Sequence, residues 1–145
     1  MRAYTIKTLK NGASGLCSID IPEDVPEALA VMQKEVGGNI EFLRTVRLAG
    51  PHAPKGATEV TLWVNESGLL EGLGPNHGAR SLLSRLLDER SPEGAPRVDM
   101  VVGPMILEGH RTDFATGEVI RAELPSDFPE RVVRVLESIV PVEAI

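Results

Sequence analysis

Cysteine occurs once in these 145 residues, at Cys17. No internal disulfide can hold the fold, a reducing compartment is expected, and Cys17 itself, inside the strand-like GLCSIDI, reads as a small apolar core residue. Long apolar runs are missing too: none approaches the roughly 18 residues of a membrane-spanning helix. The opening MRAYTIKTLK has no apolar stretch and no small-residue cleavage site, so it does not read as a signal peptide, and the cytoplasm is the expected location. Aromatic residues make up 3% of the chain. Phe42, Trp63, Phe114 and Phe128 are scattered rather than interleaved with basic residues, which speaks against a base-stacking surface. A basic excess is also absent. The formal net charge is −6, the wrong sign for neutralising phosphates, so direct nucleic-acid binding is not expected. An acidic chain can still sit on a basic surface of another protein. Mimicry of nucleic acid would need denser negative charge than these interspersed acids and bases supply.

Catalytic signatures are equally sparse. No Ser-His-Asp or Cys-His arrangement follows from spacing, no Gly-Lys-Ser/Thr phosphate loop is present, and no enzyme activity, cofactor or metal is expected. His52, His77 and His110 lie in separate loops or strand ends without ligand spacing and read as surface histidines. Glu108 and His110 share a strand face by alternation, as an acid/base pair would, but an ordinary sheet edge is the favoured reading.

What the chain does have is regular patterning. It is 42% hydrophobic, and its length suits a single domain over residues 1–145. AYTIKTL (3–9) and LCSIDI (16–21) flank a glycine turn and predict a hairpin; NIEFLRTVRL (39–48) and TEVTLWV (58–64) predict a second, with a longer connection. Asp24, Pro26 and Glu27 mark a helix start that Gly37 and Gly38 terminate. Ala79, Leu82, Leu83, Leu86 and Leu87 form the clearest helical stripe. VDMVVGPMILEG (98–109) reads as a buried strand broken or bulged at Gly103-Pro104, EVIRAEL as a short strand. Asp127, Pro129 and Glu130 repeat the earlier start signal for a last helix carrying Val132, Val133, Val135, Leu136, Ile139 and Val140. The expected fold is α+β: a mostly antiparallel sheet of about five to six strands with three helices packed on a face of it.

The stretch LLEGLGPNHGARSLLSRLL (69–87) carries the ligand question. A helix N-terminus behind a glycine-rich turn attracts anions, and Gly74, Asn76, His77 and Arg80 are the candidate ligand-binding residues for a nucleotide or other small anion. The simpler reading is that Pro75 stiffens the turn and Asn76 caps the helix, using the N–H groups an anion would need.

Three stretches, VGGNIEF (36–42), VNESGLLEGLGPNHGARSLL (64–83) and DMVVGPMIL (99–107), together resemble the family of domain of unknown function 3846, whose members look like "VGG.IE", an acidic turn with "GLP.N..A", and "D.IVG" in a late apolar strand. The resemblance spans roughly the middle two-thirds of the chain and finds no counterpart for residues 107–145. It implies a setting in phages, plasmids and other mobile elements and brings no catalytic residues. Small acidic proteins in that setting often bind and block or redirect a host complex. The expectation is therefore a non-enzymatic modulator of a host protein complex, with RNA polymerase and the transcription machinery as one target. Its contact residues are sought in the loops PHAPK and HRTDFATGE, at His52, Lys55, Arg111 and Phe114. Phe114 stands out as an apolar residue in a polar loop, although such a side chain more often folds back onto the core.

Overall fold

In the computed structural model, residues 1–48, 52–86, 101–135 and 139–142 are described, Leu86, Val135 and the last four by their backbone. Pro51 of PHAPK, Leu87, residues 98–100 of the long apolar run and Leu136 of the last stripe lie outside them. The elements in chain order are β1 (Arg2–Thr8), β2 (Ser14–Asp20), α1 (Val25–Val36), β3 (Ile40–Arg47), β4 (Glu59–Asn65), α2 (His77–Leu86), β5 (Met105–Thr112), β6 (Val119–Arg121), α3 (Phe128–Val135) and β7 (Ile139–Val142). This is an α+β fold.

Both expected hairpins form. β1 and β2 turn through Gly12, whose φ of 85° suits glycine, and Asn11 accepts a hydrogen bond from the Ala13 N–H within that turn. β3 pairs antiparallel with β4 and carries a register shift between Phe42 and Arg44 that inserts Leu43. The sheet runs β3-β4-β5-β1-β2-β7. β6 takes the outer stretch of β5 (His110 to Thr112), beyond the part that β1 occupies. All pairings are antiparallel except β2 with β7.

The structure departs from expectation in two places, the end of the last helix and the faces the helices cover, and keeps the expected break before β5. The described part of helix α3 runs to Val135, and Ile139–Val142 leaves the predicted helical stripe to add a parallel strand beside β2, giving seven strands among the described residues. β5 begins only at Met105: Gly103 takes φ 71°, and Val102 makes an isolated bridge with Pro75. The break at Gly103-Pro104 is thus where the sequence places it. Finally, the helices cover both faces of the sheet. α2 and α3 bury Ala79, Leu82, Leu83, Phe128 and Val132 against Tyr4, Ile6, Leu16, Val60, Leu62 and Leu107. α1 buries Ala28, Met32 and Val36 against Ala3, Ile21 and Ile106 on the other side. Strand β1 is apolar or small on both sides over Ala3–Ile6 because it lies mid-sheet under helices from both layers. Burying each of the large aliphatic side chains contributes on the order of 2 kcal/mol.

The cap residues behave unequally. Asp24 Oδ2 accepts from the Glu27 N–H at 3.0 Å and Gly37 closes α1 in the left-handed region, both as expected. Asp127 instead uses its carboxylate on Arg131 Nε, 3.0 Å away.

Candidate functional site

The glycine-rich turn and the start of α2 form a closed structural joint. Asn76, 1% exposed, accepts the Ala79 N–H at Oδ1 (3.0 Å), and its Nδ2 donates to the carbonyls of Ile6 and Gly103, each at 2.8 Å. One side chain therefore caps α2, ties it to β1 and fixes the chain entering β5. Arg80 points its Nε at the Val101 carbonyl, 2.9 Å away. Gly78 lets α2 approach the sheet, since a Cβ there would stand 2.8 Å from Ser14 Cβ and 2.9 Å from Ile6 Cγ2. His77 and Gly74 are exposed. So the four candidate ligand residues are adjacent, but Asn76 and the Arg80 Nε bond protein carbonyls, and the α2 N-terminal donor at Ala79 is occupied.

Asn65 is a second staple that its sequence context hides. Its Oδ1 accepts the Ser67 N–H at 2.8 Å, while Nδ2 donates to the Val36 carbonyl (3.0 Å) and to Glu71 Oε2 (3.3 Å). The turn at 65–68 is thereby fastened to the end of α1. The described parts of the three stretches that carry the family resemblance, 36–42, 64–83 and 101–107, thus converge at this end of the sheet. Beside them opens a groove of about 470 Å³, floored by Leu43, Val64, Val101 and Val102 and edged by Glu41, Glu66, Leu69 and Leu70. The apolar Leu69-Leu70 pair between two turn signals was the available hint of that exposed edge.

The opposite end holds the four candidate partner residues. Glu59 pairs with His110, so the loop before β4 and the turn after β5 lie together. His52 and Lys55 are exposed on that loop, with His52 Nε2 3.0 Å from the Leu48 carbonyl and Lys55 at φ 59°. Arg111, half-buried, pairs in register with Ile120. Phe114 does not fold back: it is 99% exposed. Its turn is nevertheless tightly tied. The Asp113 N–H donates to the Glu118 carbonyl (2.7 Å), the Gly117 N–H to the Asp113 carbonyl (2.6 Å), and the Ala115 N–H to Asp113 Oδ1 (2.9 Å).

His110 corrects the surface-histidine reading. β5 is an interior strand, so Glu108 is 3% exposed and His110 mostly covered. His110 Nε2 lies 2.9 Å from Glu108 Oε1, and Arg121 Nε stands 3.1 Å from Oε2, close enough for an ion pair though out of line for a hydrogen bond. His110 Nδ1 is sealed from solvent and has no hydrogen-bond partner among the described residues, and Glu108 lies covered between His110 and the partly exposed Arg121. Cys17 is half-buried, and burial is the main cause holding its thiol above the ordinary range, with Lys7 opposing and Glu35 adding. Among the described residues no three His, Cys, Asp or Glu side chains gather as a metal site would require.

Comparison with curated proteins and with solved structures finds no match. The family model described as domain of unknown function (DUF3846) matches residues 10–122. That span takes in everything from the β1–β2 turn through β6 and omits β1, although β1 sits between β5 and β2 in the sheet. With most of its length under that match, including all three motif stretches, the chain belongs to the DUF3846 family.

Proposed function

We propose that this protein binds another protein and modulates it without catalysing a reaction, and that it does so as a mobile-element product acting on a host complex. The observation that carries the reading is Phe114: a fully exposed aromatic side chain on a turn held by its own hydrogen bonds. Aromatic anchors that need little ordering on binding are what interface hot spots use, and His52, Lys55 and Arg111 at the same end of the sheet add polar groups. The net charge of −6 steers the chain towards a partner that is basic overall, while Lys55 and Arg111 at the contact itself call for acidic groups there. RNA polymerase is the first complex to test.

The test is capture from host lysate with tagged wild-type protein and with Phe114→Ala, bound proteins being quantified by mass spectrometry. One complex recovered near stoichiometry by the wild type and reduced about tenfold or more by Phe114→Ala is the expected result. Equal recovery by both overturns the assignment. The competing reading, an anion held at residues 74–80, requires instead that a nucleotide raise the melting temperature and that Arg80→Ala abolish the rise; no such rise is expected.

A further inference from the structure

We propose that the groove at the other end of the sheet is a recognition site for a basic, apolar-containing peptide segment of a partner protein, a reading that rests on the protein-binding function above but uses a different surface. The groove owes its shape to local sequence. The extra residue Leu43 in β3 places an apolar side chain next to Glu41 on the face that carries Val64, and the turn fastened by Asn65 sets Glu66, Leu69 and Leu70 along the opposite edge. Its floor is apolar, its volume is about 470 Å³, and among the described residues its lining contains two carboxylates and no Lys, Arg or His. Arg44, three residues from Glu41, pairs in register with Leu62 and does not line the groove. Leu70 is 93% exposed at the edge, a large apolar side chain outside the core on a turn already fixed by hydrogen bonds.

This combination selects its occupant by charge. Arg and Lys lay an aliphatic stem on apolar surface and present a cation at its end, which matches valines below and carboxylates at the rim. Phosphate-bearing ligands meet two negative charges. A second copy of this chain would bring its own net charge of −6. The exposed Leu69 and Leu70 extend the apolar surface beyond the length of one side chain, so a peptide with an apolar residue beside its basic ones uses the site more fully than a free amine does.

The probe is a fluorescein-labelled peptide, Gly-Arg-Leu-Phe-Arg-Gly, titrated with the purified full chain and read by fluorescence anisotropy. Glu41, Glu66 and Leu70 are all exposed, so their variants keep the fold, which circular dichroism confirms. Saturable binding is expected, weakened about tenfold in the double variant Glu41→Gln, Glu66→Gln. Leu70→Ala also weakens it, added salt does the same, and Phe114→Ala leaves it unchanged. No saturable binding, equal binding of the peptide with Glu in place of Arg, or displacement by spermidine as readily as by unlabelled peptide overturns the proposal. Because Phe114→Ala is silent here, failure of the groove and failure of the Phe114 surface are told apart.

Discussion

At the scale of single residues, two asparagines hold the molecule's most consequential polar bonds. The spacing around Asn76 makes its capping role legible, because Ser, Thr, Asp and Asn before an amphipathic run have one main use. Its other two bonds are not legible, since their carbonyl partners lie 70 and 27 residues away. Asn76→Ala therefore does more than remove a cap. It strands the buried Ile6 carbonyl and the Ala79 N–H, and the expected loss is about 2–4 kcal/mol, against about 1 kcal/mol for Asp24→Ala at an exposed cap. Urea unfolding of the two variants checks the order; similar losses would mean that Asn76 acts as a cap alone. Ionisation adds a second expectation. Tyr4, mainly through burial and partly through Glu130 and Glu123, with Arg2 opposing, is held above its ordinary value, as Cys17 is. Groups raised in the folded state contribute stability that is complete below their unfolded values and lost as pH rises through their folded ones. The urea midpoint should fall on titration past the ordinary thiol range, and Cys17→Ala should remove the earlier part of that fall. A midpoint rising with pH there would contradict the assignment.

At the scale of elements, hairpins and helix starts follow from patterns of nearest neighbours and were readable for that reason. The end of α3 was not. Val132, Val133, Val135, Leu136, Ile139 and Val140 satisfy a helical stripe, yet Ile139–Val142 finds hydrogen-bond partners on β2, more than a hundred residues earlier in the chain. Parallel pairing at that separation leaves no local trace. Position 78 in α2 shows the same conflict in one residue. Helix propensity favours Ala over Gly by about 1 kcal/mol. A Cβ at Gly78, however, would press on Ser14 and Ile6 inside normal contact. Gly78→Ala is expected to destabilise by about 1–3 kcal/mol through overpacking, measured by thermal or urea unfolding; a gain in stability would show that α2 can back away from the sheet. The exposed edge strand β3 has its own safeguard, since the inserted Leu43 and the charged Arg44 and Arg47 discourage pairing with another chain.

At the scale of the whole molecule, the fold is a sheet with helices on both faces, the exposed Phe114 turn at one end and the groove beside Leu69 and Leu70 at the other. The general class was readable from interleaved strands and helices; the sheet order was not, because β1 reaches β5 across a hundred residues of chain. The placing of His52, Lys55, Arg111 and Phe114 at one end follows from that order, and so does the covering of Glu108 and His110 beside Arg121, which alternation alone could not separate from an exposed pair. Phe114 is legible as an apolar residue in a polar stretch, whereas its exposure follows from the bonding within its turn, which spacing does not show. The most direct test of the protein-binding account is hydrogen–deuterium exchange on this chain, free and with its captured partner. The account predicts slowed exchange across residues 111–118 and 52–58 on binding, with α1 unchanged. Protection confined to α1, or none at either end of the sheet, would contradict it.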